Sequence, residues 1–264
     1  MAEFTAKDVQ ALRQETGAGM MDAKKALEAA GGDFEAARKA LREKGLAKAA
    51  SRTDRDNVEG VVAVGDSDAG VAIVQLKSET DFSAKSDEFV ALAQELADAV
   101  AADGLGATEG LQSRIDDLKV ALKENIELGS VIHVAKGDGN TVDTYVHVQD
   151  GRGVNGVITV LDGGSQELAH DVSIHIAFTK PAYLTRDDVP QAAVDEEREI
   201  LTDITRKEGK PEEALDKIVE GKLGGWFRDQ VLLEQKFVRD EKQTISQLLG
   251  DVNLVRFEQV VIGS

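Results

Sequence analysis

The first strand pattern in the chain lies at residues 58–77, which read VEGVVAVGDSDAGVAIVQLK. Two apolar runs rich in β-branched residues, 58–64 and 71–77, flank the turn-forming residues Gly65-Asp66-Ser67-Asp68. Runs of this composition separated by a turn are typical of paired strands. Residues 58–77 therefore predict two neighbouring strands.

Two helices and a third strand are predicted after this pair. Apolar residues at helical spacing mark one helix over about 83–102 and a second over 111–122. A strand follows at 131–135, and the turn residues 137–140 end the unit. The order of elements is strand, strand, helix, helix, strand.

The same order occurs a second time. Strands are predicted at 142–148 and 154–161, and they are followed by a helix that Pro181 ends. Thr244 caps a short helix, and residues 254–262 alternate as a last strand. We therefore expect an α+β fold whose core has two similar subdomains, each a small antiparallel sheet packed by helices.

The second copy is interrupted by residues 185–237, which are helical and amphipathic. Two narrow apolar stripes are formed by Val194, Leu201 and Ile204 and by Leu215, Ile218 and Val219. Glu208-Gly209-Lys210-Pro211 joins them, so the pattern predicts an antiparallel coiled-coil hairpin that projects as a docking surface. The core subdomains are then residues 58–139 and residues 140–184 with 238–264.

Residues 1–52 are predicted to form a separate domain of three short helices. Asp33 begins the third of these helices, and Gly45 is predicted to end it. Helices this short depend on packing against one another. The polar, strongly charged stretch at residues 48–57 predicts a linker to the core.

Composition excludes several classes of protein. The chain has 264 residues, of which 42% are hydrophobic and 30% charged, so it can bury a core. The 49 acidic residues outnumber the 31 basic ones, and a net charge of −18 disfavours nucleic acid and anionic membranes as partners. Residues 1–10 lack the pattern of a signal peptide, and the sequence predicts a cytoplasmic protein.

The sequence offers no catalytic or metal-binding constellation. It has no cysteine, and His170 and His175 are spaced so that they do not share a helix face. No Walker A sequence is present, and Gly17-Ala18-Gly19 lacks the preceding strand and the lysine of a phosphate-binding loop. We therefore predict a protein that is not an enzyme and uses no metal or cofactor.

One motif at a junction remains. Residues 77–83, KSETDFS, lie between the second strand and the predicted long helix. Phe82 is seven residues before Phe89 and would share its helical face, which favours the core. Residues 83–86, SAKS, interrupt the apolar stripe, and a hydrophobic staple would pair Phe82 with the polar Asp87, which favours an interface. The two interpretations are evenly balanced.

Several motifs resemble bacterial elongation factor Ts. Residues 12–27, LRQETGAGMMDAKKAL, resemble the N-terminal signature of that family, and Thr80-Asp81-Phe82 with Ala84-Lys85 resembles its Thr-Asp-Phe motif. Further matches occur in the same order at Glu124-Asn125-Ile126, His175 with Lys180-Pro181, Gly209-Lys210-Pro211 and Gln247-Leu248-Leu249. The resemblance covers essentially the whole chain.

The resemblance implies a function as well as an architecture. The fold would be a ubiquitin-associated-like helical domain, a core of two subdomains and an inserted coiled-coil hairpin. The activity would be guanine-nucleotide exchange on elongation factor Tu, bound in its GDP and nucleotide-free states. The tip formed by Thr80, Asp81 and Phe82 would wedge between helices of the GTPase domain and disturb its magnesium and phosphate site.

The resemblance also implies further contact residues. The N-terminal domain would touch the GTPase domain through Leu12, Met20 and Met21. The second subdomain would face the third domain of elongation factor Tu through three residues: Tyr145, His147 and Arg152.

Several positions depart from the family pattern, among them Lys236-Phe237-Val238 near the end of the insertion and Ser78 and Glu79 before Thr-Asp-Phe. A glycine common before Glu-Asn-Ile is Lys123 here, and an arginine pair after it is replaced by Gly129-Ser130. These departures bear on the contacts expected around Lys123 and Gly129 and leave the overall function that the resemblance implies unchanged.

Two other functions compete with exchange. The chain could be a plain interaction module, although such an adaptor has no need of a wedge. A hydrolase that uses acidic residues would need a nucleophile or metal motif that the sequence lacks. The hairpin could act on elongation factor Tu or pair with a second copy, and the sequence leaves both open.

Overall fold

A computed structural model describes residues 4–50 and 56–263. The chain divides into two compact units, Met1–Lys136 with Val146–Gly156 and Val260–Ser264, and Gly137–Tyr145 with Val157–Gln259. No helix within the described ranges is both long and apolar enough to cross a membrane.

Three helices begin the first unit: α1 (Ala6–Thr16), α2 (Met20–Ala29) and α3 (Phe34–Ala50). The Asp33 side chain accepts a hydrogen bond of 3.1 Å from Ala36 N–H, so the predicted start of α3 is confirmed. The helices share a small core, whose buried members are Val9, Leu12, Ala23, Leu27, Ala37 and Leu41.

The first copy of the repeated element order contains six elements: β1 (Glu59–Asp66), β2 (Gly70–Ser78), α4 (Asp81–Ala84), α5 (Asp87–Asp103), α6 (Ala107–Leu122) and β3 (Glu127–Ala135). The sheet has the order β1-β2-β3, and both pairs are antiparallel. Val62 pairs with Gln75, and Ile73 pairs with Ile132. Helix α5 covers the sheet with fully buried residues such as Phe89.

The long helix predicted over 83–102 is wrong at its start. Thr80, not Ser83, caps the four-residue helix α4, and α5 begins only at Asp87. Lys85 ends α4, and Ser86 has an extended backbone that separates the two helices. The interruption of the apolar stripe by residues 83–86 marks this break.

Gly45 does not end α3, as the sequence predicted, because the helix continues to Ala50. A Cβ atom at Gly45 would lie 2.7 Å from Cγ1 of Val120 on α6. The glycine therefore lets α3 approach α6 closely, and the contact is joined by an ion pair of 3.0 Å between Arg42 and Asp117. Of the predicted linker 48–57, residues 48–50 belong to α3 and residues 51–55 lie outside the described part of the chain.

The second copy of the element order is present, as predicted. It consists of β4 (Asn140–Gln149), β5 (Arg152–Asp162), α7 (Gln166–Thr179), α10 (Ile245–Leu249) and β8 (Asn253–Val261). The strands form a three-stranded sheet in the order β4-β5-β8. Lys180 ends α7 in the left-handed conformation before Pro181, and Thr244 caps α10. Helices combined with small sheets confirm the α+β class.

The insertion contains the helices α8 (Gln191–Lys207) and α9 (Glu212–Gln230). The short strands β6 (Lys236–Phe237) and β7 (Asp240–Thr244) follow these helices, and Leu232 and Phe237 already pack in the core of the second copy, before the predicted end of the insertion at 237. Val194 near the start of α8 and Leu223 near the end of α9 share one apolar cluster. At the other end Arg206 and Glu212 form an ion pair of 3.2 Å. The two helices therefore run antiparallel.

Candidate functional site

Phe82 lies on α4, and its side chain is 85% exposed. The next two residues, Ser83 and Ala84, are buried, and Ala84 belongs to the core of the first subdomain. The short helix therefore turns its backbone toward the core and its aromatic ring toward solvent. Of the two balanced interpretations of Phe82, the core interpretation is excluded.

Thr80 begins α4 and is held from a distant part of the chain. Its hydroxyl oxygen accepts a hydrogen bond of 3.3 Å from Ser83 N–H, which caps the helix. The same hydroxyl donates to Oε1 of Glu124 at 2.6 Å, and Thr80 N–H donates to Oε2 of Glu124 at 3.2 Å. One carboxylate therefore accepts two hydrogen bonds from the residue that starts the helix.

Glu79, directly after β2, forms a second link to the connection between α6 and β3. Here the accepting carboxylate is on the β2 side and the donor is on the α6–β3 side. Asn125 N–H donates to Oε1 of Glu79 at 2.7 Å, and Asn125 itself is buried. Ser78, also buried, donates from its hydroxyl to the carbonyl oxygen of Thr80 at 3.0 Å. The end of β2 and the connection between α6 and β3 are thus fastened to each other at the base of α4.

Asp81 forms an ion pair with Lys85 one turn later, with Nζ 2.8 Å from Oδ2. The hydrogen bond from Lys85, reinforced by its charge, holds the pKa of Asp81 below its ordinary value. Lys85 also lies 3.3 Å from Asp150, and hydrogen bonds to Asp81 and Asp150 raise the pKa of Lys85. Asp150 and Gly151 both have positive φ, as a tight two-residue hairpin turn between β4 and β5 requires.

Arg152 is buried and has its hydrogen bonds inside the first unit. Its Nη1 donates to the carbonyl oxygen of Gly60 at 2.7 Å, and its Nη2 donates to Glu59 at 2.6 Å. The guanidinium charge also contributes to lowering the pKa of Asp81. In this conformation, Arg152 fastens β5 to β1 beside the tip rather than projecting toward a partner.

The three N-terminal candidates differ in exposure. Leu12 is fully buried among the three helices, whereas Met20 and Met21 at the start of α2 are 47% and 63% exposed. Leu12 therefore shapes the domain from inside, and the two methionines provide its accessible apolar surface.

The remaining two candidates lie on β4. Tyr145 is half-buried, and its ring makes an edge-on contact with His170, with 6.1 Å between the ring centroids. His147 is exposed.

Three residues build the tip without having been predicted to contact it: Lys85 and Glu124, which belong to motifs of the family resemblance, and Asp150. The spacing of Asp81 and Lys85, four residues apart at a helix start, was a usable signal for their ion pair. Glu124 is 44 residues from Thr80, and no local pattern indicates that contact.

The departures from the family pattern have a structural context. Lys123 ends α6 with φ of 59°, in the left-handed region where glycine is favoured. Gly129 lies against the side chain of Gln75, which accepts a hydrogen bond of 3.2 Å from Ser130 N–H. A longer side chain at position 129 would have to displace Gln75.

The tip has the composition of a contact surface. It presents one large apolar ring next to a carboxylate whose pKa is lowered by a hydrogen bond from a lysine. In the described part of the chain, no group of three or more His, Asp or Glu side chains is placed to hold a metal ion. The arrangement makes an exposed aromatic ring and a lysine-paired carboxylate available for contact with another molecule.

Comparisons with known proteins agree with the sequence motifs. A family model described as Elongation factor TS matches residues 79–264, which include the whole tip. The Elongation factor Ts of Leifsonia xyli subsp. xyli is 45% identical over 267 residues, covering 96% of this chain and 96% of its own length. Those of Cutibacterium acnes and Thermobifida fusca are each 42% identical, over 98% and 100% of this chain and 99% of their own lengths. The chain belongs to the elongation factor Ts family.

Proposed function

We propose that this protein promotes the release of GDP from elongation factor Tu during translation elongation. Family membership supports the activity and the partner. The exposed ring of Phe82, held on a helix that is tied to the core, is the observation that carries the mechanism.

The proposed mechanism is insertion of the Asp81-Phe82 tip into the GTPase domain. Burial of a phenylalanine side chain contributes about 1.5–3 kcal/mol. If the partner has room for the ring mainly when it has released GDP, this energy favours the nucleotide-free state. The carboxylate of Asp81, paired with Lys85, would enter a site that otherwise holds magnesium and phosphate.

Exchange of this kind acts through the partner, because the chain itself has no recognisable nucleotide-binding motif. Thermodynamic linkage then fixes a reciprocal effect. If the protein lowers the affinity of elongation factor Tu for GDP, GDP must lower the affinity of elongation factor Tu for the protein by the same factor.

Additional contacts would come from other parts of the chain. Met20 and Met21 are accessible for the GTPase domain, and Tyr145 with His147 would face the third domain of the partner. Leu12 and Arg152 would support these surfaces from inside, as their burial indicates. The net charge of −18 fits a partner face that is basic and disfavours direct contact with nucleic acid.

The inserted hairpin is proposed to be a further docking surface. Ile200 and Ile204, four residues apart on α8, are both exposed, so Ile204 does not lie in the apolar stripe to which the sequence assigned it. Elongation factor Tu and a second copy of the chain are the two candidate partners. Sedimentation of the protein alone, at increasing concentration, separates them because only self-association produces a dimer without elongation factor Tu.

The direct test is the release of fluorescent GDP from elongation factor Tu. We expect the release rate to rise with the concentration of this protein and to reach a plateau. Binding should be weakened by saturating GDP, as linkage requires. Binding without any acceleration, and with equal affinity at all GDP concentrations, would instead identify a plain interaction module.

A further inference from the structure

The position of Phe82 depends on a helix that cannot be stable by itself. Helix α4 has only four residues, Asp81–Ala84, and isolated helices of that length do not form. The ring of Phe82 is almost fully exposed, so side-chain packing contributes little to its placement. The direction of the ring is therefore set by the backbone of α4 and by whatever holds its first residue.

Glu124 holds that first residue with both of its carboxylate oxygens. Oε1 accepts from the Thr80 hydroxyl at 2.6 Å, and Oε2 accepts from Thr80 N–H at 3.2 Å. Two hydrogen bonds to one residue fix its orientation as well as its distance. Because Thr80 caps α4 by accepting a hydrogen bond from Ser83 N–H, the orientation of Thr80 also sets the orientation of the helix.

Glu124 is itself attached to a rigid part of the molecule. It follows the end of α6 at Lys123 and precedes Asn125 and Ile126, which are both buried. Asn125 is further fixed by the hydrogen bond from its N–H to Glu79. The carboxylate of Glu124 therefore fixes the start of α4 relative to the core.

We propose that Glu124 is a positioning residue for nucleotide exchange, which holds Thr80 so that α4 presents Phe82 in the orientation needed for insertion. The proposal rests on the exchange function proposed above. Glu124 acts through Thr80 and needs no contact with elongation factor Tu. Loss of the Glu124 carboxylate should lower the maximum rate of GDP release, while the other contacts with the partner stay in place.

The test compares two substitutions, Glu124→Gln and Glu124→Asp, in the full-length protein. Glutamine has one side-chain acceptor oxygen instead of two, and aspartate keeps the charge but is shorter by one methylene group. For both variants we expect the maximum rate of fluorescent-GDP release at saturating protein to fall about 10-fold, the scale of a lost hydrogen bond to a charged group. The concentration that gives half of this maximum should stay close to that of the unmodified protein.

Two further measurements separate positioning from a loss of folding or of charge. Hydrogen exchange at the amides of residues 83–85 should become faster in both variants, while the melting temperature changes little because Glu124 is half-exposed. Glu241→Gln is the matched control, since it removes the same charge from an exposed position on β7. It should leave the release rate unchanged.

A combined substitution tests whether Glu124 acts through Thr80. In a Thr80→Val background the cap and the hydroxyl contact are already lost, so adding Glu124→Gln should reduce the rate by less than it does alone. An unchanged maximum rate in both single variants, or full additivity with Thr80→Val, would overturn the proposal. Failure of the unmodified protein to accelerate release would instead refute the exchange function itself.

Discussion

Gly45 on α3 lies so close to Val120 on α6 that a Cβ atom at position 45 would be 2.7 Å from Cγ1 of Val120. We expect Gly45→Ala to destabilise the protein by about 1–3 kcal/mol, because the added methyl group overpacks this contact. Helix propensity alone predicts the opposite effect, because it favours alanine over glycine by about 1 kcal/mol inside a helix. Thermal melting measures the result.

Two comparisons make the Gly45 prediction specific. Gly110→Ala on α6 introduces the same methyl group where no atom lies within 4 Å, and we expect it to stabilise the protein. Adding Val120→Ala to Gly45→Ala should recover part of the lost stability. A stabilising effect of Gly45→Ala alone would show that α3 does not need this close approach.

Phe82→Ala should have little effect on the stability of the protein and a large effect on the rate of GDP release. The ring is 85% exposed, so its removal leaves no cavity in the core. Loss of about 1.5–3 kcal/mol of burial in the complex should slow stimulated GDP release about 10- to 150-fold. Melting and fluorescent-GDP release are measured on the same preparation.

The matched control for Phe82 is Phe89→Ala. Phe89 is fully buried in the core of the first subdomain, and its truncation should cost about 3–5 kcal/mol. Normal GDP release by folded Phe82→Ala protein would contradict the proposed insertion of the ring.

His175 should make the protein less stable as the pH falls. Val238 N–H donates to Nδ1 of His175 at 3.3 Å, so the proton of the neutral ring lies on Nε2, which donates to Gln235 at 3.0 Å. Burial lowers the pKa of His175 below its ordinary value of about 6.5. The unfolded chain therefore takes up a proton first, and the contribution of His175 to stability is lost as the pH falls below the unfolded pKa.

Melting temperatures between pH 7.5 and 5 test the role of His175. The His175→Gln variant should be less stable at pH 7.5, since it loses buried hydrogen bonds, but its melting temperature should fall less steeply toward pH 5. Equal slopes in the variant and the unmodified protein would show that other groups determine the acid sensitivity.

Lys123→Gly should stabilise the protein. Lys123 has φ of 59° at the end of α6, and glycine adopts this conformation without the steric cost of a Cβ atom. The expected gain is about 0.5–1 kcal/mol, since the more flexible unfolded chain offsets part of the relief. Lys119→Gly, one turn earlier in the helix, should instead cost about 1 kcal/mol. Chemical denaturation measures the change in the free energy of unfolding for both variants. A loss of stability in both would contradict the argument.

Most of the element order could be predicted because it depends on short-range patterns. The strands near 58–77 are marked by β-branched runs and a turn, and Pro181 and Thr244 mark helix ends through local chemistry. These signals lie within a few residues of the structure that they predict.

The features that required the structure are long-range contacts. Gly45 has the local signature of a helix end, yet its close approach to Val120 decides its role. Glu124 reaches Thr80 across 44 residues, so its function as an anchor could not be predicted from spacing. Phe82 was balanced between core and interface because periodicity alone does not show that α4 and α5 are separate helices.

The two ends of the helical insertion are paired where they meet the core. Tyr183 and Val231 form a parallel β-bridge, and Leu232 N–H donates to the carbonyl oxygen of Tyr183 at 2.8 Å. The chain therefore leaves and re-enters the second subdomain at one point, and the cost of closing the intervening loop grows only slowly with its length. Shortening or extending α8 and α9 by matching turns, or exchanging them for another helical pair, should leave this junction unchanged. The insertion is in this sense a replaceable module, whose reach evolution or design can alter independently of the fold that carries it.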